Sequence, residues 1–215
     1  MKDIAILGIG GFAREVATII KAINSIKPTW NLLGFVDNSV RKGTIINGYP
    51  VIGNDEQLLS DNRELALVLS FGSPELKKRL HLFFKNTNIY FPPLIHPSTI
   101  VGDIDFIRIG SGSIICAGCI LTTNIVLDDF VTLNLKCTVG HDTVIGKYSS
   151  FMPSVNISGD VFIGECVYVG TGAKLINRIK IGDNSIIGAG AVVTKNLPEN
   201  CTAVGVPARP IKFNK

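Results

Sequence analysis

The sequence predicts two units in series: a small Rossmann-like α/β unit, then an all-β left-handed parallel β-helix built on a hexapeptide repeat. Three observations predict this. Large apolar residues recur at every sixth position from Ile109 to Val193. The first 90 residues instead alternate short β-branched runs with amphipathic helical stretches. A Pro-rich stretch, Phe91-Pro92-Pro93, separates the two patterns. The expected organisation is 1–90 for the α/β unit, 91–198 for the coil and 199–215 for a C-terminal cap.

In the first unit, Lys2 to Leu7 reads as a buried strand ending in Gly8-Ile9-Gly10-Gly11-Phe12-Ala13. A helix follows over Ala13 to Ile26, with Val16, Ile19, Ile20 and Ile23 on one face. Leu32 to Asp37 is a second strand closing on an acid, and the chain then turns through Gly43 and Gly48 to Val51-Ile52-Gly53. A short helix over Asp55 to Leu59 leads to a strand over Leu65 to Phe71. Ser73 and Pro74 then open a helix as N-cap and first residue. Gly8-x-Gly10-x-x-Ala13 with Asp37 one helix and strand later has three readings: a dinucleotide site, a bare turn, or a turn that holds the nucleotide of a substrate. The unit is half the size of a dinucleotide domain, which favours the third.

In the second unit, fifteen hexads in phase run from Ile109 to Val193. Three hexads make one triangular coil of 18 residues, with the large aliphatic pointing inward and stacking on its equivalent about 4.8 Å away. Gly follows the large residue in seven hexads, at Gly110, Gly140, Gly146, Gly164, Gly170, Gly182 and Gly188. These are expected to turn corners with positive φ or to sit where a Cβ is excluded. The fourth position after the large residue is small or β-branched nearly throughout, as in Ser113, Val131, Thr143 and Ala173. Phe91 to Gly102 should lead into an irregular first coil, and Val204 to Ile211 should leave the prism and cap it. Left-handedness is the habit of this repeat and is not contained in the spacing.

The bulk composition narrows the class of function. Apolar residues are 46%, charged residues 18%, and the net charge is +4, with basic residues scattered and not interleaved with aromatics. That argues against a nucleic-acid partner. Five irregularly spaced Cys suit free thiols in a reducing cytoplasm. Cys116 and Cys119 form a C-x-x-C with no second pair or nearby His to complete a zinc site. The first strand begins at once, without a basic leader, and no apolar run reaches membrane-spanning length, so a cytoplasmic protein without membrane insertion is expected.

Taken together, the Gly-rich α/β unit, the linker with His96-Pro97-Ser98, the uninterrupted coil holding Gly140-His141-Asp142, and the tail Val204-Gly205-Val206-Pro207-Ala208-Arg209-Pro210 resemble one family. It is the bacterial surface-sugar acyltransferases, which include sialic acid O-acetyltransferases and N-acetyltransferases of nucleotide-linked 4-amino sugars. The resemblance implies a homotrimer with acetyl-CoA lying along the coil between neighbours and the nucleotide sugar held by the N-terminal unit. It implies His141 as catalytic base, Asp142 as its acidic neighbour and Asn134 as a polar residue near the acceptor. It also implies substrate binding by Gly10, Gly11, Phe12, Asp37, Asn38 and Gly72, and acetyl-CoA contacts at Ser150, Thr171 and Ala189. Two positions depart from the family: Phe12 stands where amino-sugar enzymes often carry His, and Ser150 where a His touches the coenzyme.

The chemistry fits those residues. Imidazole, with an ordinary pKa of about 6.5, accepts a proton at neutral pH, and a carboxylate beside it fixes its orientation. His141 lies beside Gly140 near a corner and should point into a groove, whereas His81 sits in a helix with Lys77, Lys78 and Lys85, and His96 lies in the linker. No Ser-His-Asp or Cys-His nucleophile is apparent, which favours direct attack on acetyl-CoA. The expected function is N-acetylation of a nucleotide-linked amino sugar, a 4-amino-4,6-dideoxy sugar in the first instance, for surface polysaccharide or glycan synthesis. The alternatives are O-acetylation of a sialic-acid-like sugar, a zinc carbonic anhydrase on the same coil, which needs three His where the coil carries one, and a non-catalytic scaffold trimer.

Overall fold

The computed structural model of the chain describes residues 1–60, 63–85 and 87–213. Its N-terminal unit runs β1 (Lys2–Leu7), α1 (Gly11–Ile26), β2 (Trp30–Val36), β3 (Ile45–Ile46), β4 (Tyr49–Gly53), α2 (Asp55–Leu59), β5 (Leu65–Leu69), α3 (Pro74–Phe83) and β6 (Ile89–Tyr90). The strand order is β3-β4-β2-β1-β5-β6, parallel except for the β3–β4 hairpin. Because strand side chains alternate, Ile4 and Ile6 face α1 residues Val16, Ile19 and Ile20, while Ala5 and Leu7 join Leu58 and Phe84 in the opposite core. α1 begins two residues earlier than Ala13, at Gly11, and Ser73 caps α3 by accepting from the Leu76 amide at 3.3 Å.

The coil has three faces. The first carries strands at Leu94, Ile114, Thr132, Ser150, Tyr168 and Ile186. The second carries those at Ile100, Ile120, Thr138, Asn156, Lys174 and Val192, and the third those at Ile107, Ile125, Val144, Phe162 and Lys180. Partners are 18 residues apart, as in Ile114↔Thr132 and Thr132↔Ser150, which is the three-hexad coil. The first coil is irregular as expected: Leu94 pairs with Ile114, and the two extra residues are taken up around the short 3₁₀ turn Ile104–Phe106. Among the stacked large residues, Ile115, Leu121, Leu127, Leu133, Ile145 and Phe151 are completely buried. Each such side chain removed from water contributes about 1.5–3 kcal/mol.

The backbone departs from two expectations. Positive φ falls three residues after each large aliphatic, from Gly112 to Gly190, and most of these corners are not glycine; they include Asn124, Phe130, Asp142, Tyr148, Asp160, Cys166 and Arg178. The glycine after the large residue is there because coils pass too close for a side chain: a Cβ on Gly140 would lie 2.6 Å from the Gly159 nitrogen. The tail also differs from expectation. Cys201–Gly205 first extends the first face, pairing in parallel beside Ile186, and only then does Ala208–Phe213 return antiparallel. The strand is favoured because its amide and carbonyl groups can continue an open ladder.

The N-terminal unit is packed onto the coil through both of its cores. α1 and its side of the sheet share a cluster with Leu94, Ile114 and Cys116. α3 and the other side meet Phe130, Tyr148 and Cys166, the apexes of the corner between the third and first faces. Bulky residues at positive φ cost roughly 1–2 kcal/mol each, and here they form a ridge for α3. Lys77 is wholly buried on it, its Nζ donating to the Phe130 carbonyl at 2.7 Å, the Thr132 hydroxyl at 2.9 Å and the Ser149 carbonyl at 3.4 Å. His81 is not a surface residue among lysines. It lies 4.3 Å from the Phe130 ring centroid and its Nδ1 shares a 2.8 Å hydrogen bond with the Tyr148 hydroxyl.

Candidate active site

The corner between the second and third faces stacks Asn124, Asp142, Asp160 and Arg178 on successive coils, each at positive φ. His141 precedes one of these apexes and is exposed, as its position beside Gly140 implied. Its Nδ1 lies 2.7 Å from Oδ2 of Asp142, and Oδ1 of the same carboxylate accepts from Nδ2 of Asn124 at 3.0 Å. Those two hydrogen bonds, the His141 one foremost, hold the Asp142 carboxyl below its ordinary range. An ionised carboxylate only accepts, so in the neutral imidazole Nδ1 of His141 carries the proton and Nε2 presents its lone pair. A groove of about 550 Å³ surrounds the pair, lined by His141, Asp142, Ser158, Gly159, Asp160, Asn177 and Arg178.

The other residues expected on the coil lie elsewhere. Asn134 is at the corner between the first and second faces, nearly buried, with its side-chain oxygen accepting from the Leu135 amide at 2.7 Å. Thr171 and Ala189 are exposed on that same edge, two and three coils further on. Ser150 is not on the edge. It is fully buried on the first face beside Thr132, where Lys77 seats, and its hydroxyl has no hydrogen-bond partner among the described residues. Thr171 and Ala189 are open to solvent and the Ser150 side chain is not, because the N-terminal unit docks over that part of the face. Cys116 and Cys119 face different cores, the first that of the α/β unit and the second that of the prism.

In the N-terminal unit, the expected substrate residues gather at the carboxyl ends of β1, β2 and β5. The chain crosses from β2 on one side of β1 to β5 on the other, and in parallel sheets such a switch point opens the binding crevice. Gly10 and Gly11 start α1 with no side-chain cap and no acid in the first turn. The side-chain position of either glycine is open space among the described residues, which lets a ligand approach the backbone at this uncapped helix start. Phe12 is partly buried against the core. Asp37 accepts from the Ser39 amide at 2.8 Å, and Asn38 is tied to Asp55 at 2.9 Å. Gly72 faces Met152 of the coil and opens a cavity of about 820 Å³ that continues past Pro74, Tyr168 and Ile186.

Sequence reasoning missed Asn124, Gly159 and Lys77. The first two had a signal: Asn124 is 18 residues before Asp142, and Gly159 is 18 after His141, so the coil period alone makes them neighbours. Lys77 had none.

Comparison with known proteins agrees with this architecture. The family model for the PglD N-terminal domain matches residues 3–82, and that for the bacterial transferase hexapeptide matches residues 160–195. GDP-perosamine N-acetyltransferase from Escherichia coli O157:H7 is 30% identical over 214 residues, covering 96% of this chain and 95% of the relative. The structure of PerB from Caulobacter crescentus in complex with CoA and GDP-perosamine has a TM-score of 0.85 at 27% identity, covering 99% of this chain and 98% of that one. The acetyltransferase domain of PglB from Neisseria gonorrhoeae FA1090 in complex with acetyl coenzyme A has a TM-score of 0.88 at 29% identity, over 98% and 99% of the two chains. With its α/β unit, its coil and nearly its whole length matched in this way, the chain belongs to the bacterial sugar acyltransferase family of hexapeptide-repeat acetyltransferases.

Proposed function

We propose that the protein transfers acetyl from acetyl-CoA to the amino group of a nucleotide-linked amino sugar, a 4-amino-4,6-dideoxy sugar, in the cytoplasm and in the service of surface polysaccharide or glycan synthesis. The observation that carries the reading is the exposed His141–Asp142 pair, with Nδ1 engaged at 2.7 Å and Nε2 without a hydrogen-bond partner among the described residues. The sugar amine attacks the thioester carbonyl, forming the C–N bond. Nε2 of His141 takes the amine proton as the tetrahedral adduct forms. The C–S bond then breaks, and the leaving thiolate recovers that proton from the imidazolium. All five Cys are buried, which supports direct transfer over a cysteine-bound acyl intermediate.

Gly10, Gly11 and the open start of α1 suit the diphosphate of the nucleotide, with Asp37, Asn38 and Gly72 around it. The complexes of PerB with CoA and GDP-perosamine, and of the PglB domain with acetyl coenzyme A, support the acceptor and donor classes. The placement of the edges supports assembly into a homotrimer. His141 and Asp142 lie on one corner of the prism, and Asn134, Thr171 and Ala189 on another, so the two edges close around one thioester only when neighbouring subunits face each other. Phe12, which packs against the core where a His is common in the family, favours a second reading: O-acetylation of a sialic-acid-like sugar.

Release of CoA thiol separates the readings, with acetyl-CoA assayed against UDP-, GDP- and dTDP-linked amino sugars and against free and CMP-linked sialic acid. Turnover of an amino sugar is expected, and turnover of sialic acid alone overturns the first reading. His141→Ala is expected to lower transfer at least about 10²-fold with the trimer intact; unchanged activity overturns the assignment of the base.

A further inference from the structure

The coil stacks residues 18 apart, so any side chain at its corners is touched from the coil before and the coil after. At His141 and Asp142 both contacts are specific. From the coil before, Nδ2 of Asn124 donates to Oδ1 of Asp142 at 3.0 Å, leaving Oδ2 for His141. From the coil after comes Gly159, on which a Cβ would overlap Nε2 of the imidazole and lie 2.5 Å from Cε1 and 2.8 Å from Cδ2. The ring therefore lies over the Gly159 backbone, in space that any side chain there would fill.

We propose that Asn124 is a positioning residue for acyl transfer, clamping the Asp142 carboxylate so that Nδ1 of His141 keeps its proton and Nε2 faces the substrate. Gly159 is the opening in which the ring is held. The inference rests on His141 being the base. A carboxylate with one free oxygen rotates and shares its histidine bond among several geometries, whereas one fixed at both oxygens holds the ring and its tautomer. The remaining charged groups facing the pair from the described coils are Asp160 and Arg178. Nε of Arg178 lies 3.9 Å from Oδ2 of Asp160, and the Asp160 amide donates to the His141 carbonyl at 2.7 Å. They engage each other and the backbone, and Asn124 is the group that reaches Asp142 from outside.

The test uses two variants that keep the backbone. Asn124 has φ 53°, a conformation that glycine and aspartate accept, so Asn124→Gly deletes the amide and Asn124→Asp replaces it with a second carboxylate. Asn124→Gly is expected to lower kcat about tenfold, the lower end for a hydrogen bond to a charged group, with KM for both substrates and the melting temperature unchanged. Asn124→Asp is expected to move the acid limb of the kcat/KM–pH profile to higher pH, because the added negative charge favours the imidazolium. Gly159→Ala is expected to lower kcat by displacing the ring, again without a change in acetyl-CoA KM. Wild-type kcat and an unmoved limb in both Asn124 variants, with His141→Ala inactive, overturn the role of Asn124 while leaving the base in place. A lowered melting temperature with no change in kcat or limb assigns Asn124 to coil stability and overturns the proposal equally. An active His141→Ala overturns the base reading instead.

Discussion

Replacing Lys77 with methionine is expected to remove a pH dependence from the folding equilibrium. The ammonium is completely buried between α3 and the coil, and burial pushes it down from 10.5 to about 7, with Cys166 opposing weakly. At about 1.4 kcal/mol per pH unit, the drop of roughly 3.5 units penalises the charged form by roughly 5 kcal/mol. Between pH 7 and 10.5 the unfolded chain holds the proton and the folded chain releases it, so stability rises with pH across that window and is level below it. Tyr90 and Tyr148, both raised mainly by burial, pull the other way at alkaline pH, but they do so in wild type and variant alike. The difference in unfolding free energy between the two proteins therefore isolates Lys77. Measured by urea denaturation at one protein concentration, wild type is expected to gain on Lys77→Met by about 1 kcal/mol per pH unit from pH 7.5 to 9.5. A difference constant to within about 0.5 kcal/mol over those two units would refute the reasoning and would mean that the three hydrogen bonds of Nζ outweigh its burial.

Other expectations test the coil and the coenzyme edge. Gly146→Ala would set a Cβ 2.6 Å from the Gly164 carbonyl carbon on the next coil, and a loss of about 1–3 kcal/mol should appear as a lower melting temperature. Phe151→Ala empties the axis of the prism, where the ring is fully buried, and should cost about 3–5 kcal/mol in the same measurement. Thr171→Trp, on an exposed edge, should raise the acetyl-CoA KM at least about tenfold, roughly 1.4 kcal/mol, and leave nucleotide affinity unchanged by calorimetry. Equal KM values would move the coenzyme off that edge.

The period of six determined the prism. Two positions in each hexad must face inward for the chain to bury its apolar side chains, and backbone pairing between coils then makes every residue the neighbour of those 18 before and after it. That is why the stacked core from Ile115 to Val193 could be read from the sequence, as could the exposure of His141 and, by the same arithmetic, the contact of Asp142 with Asn124 and of His141 with Gly159. The alternating strands and helices of the first unit likewise specify their own cores, and Ser73-Pro74 its helix start, because these depend on local geometry. Tertiary structure decided what periodicity does not encode, namely how one unit lies on the other. That docking buries Lys77, draws His81 into the ring cluster of Phe130 and Tyr148, and covers Ser150. The turning of the prism places Asn134 and His141 on different corners, so residues seven apart in sequence are separated in space. Such contacts join positions with no common period, and their energies depend on the fit of two finished surfaces.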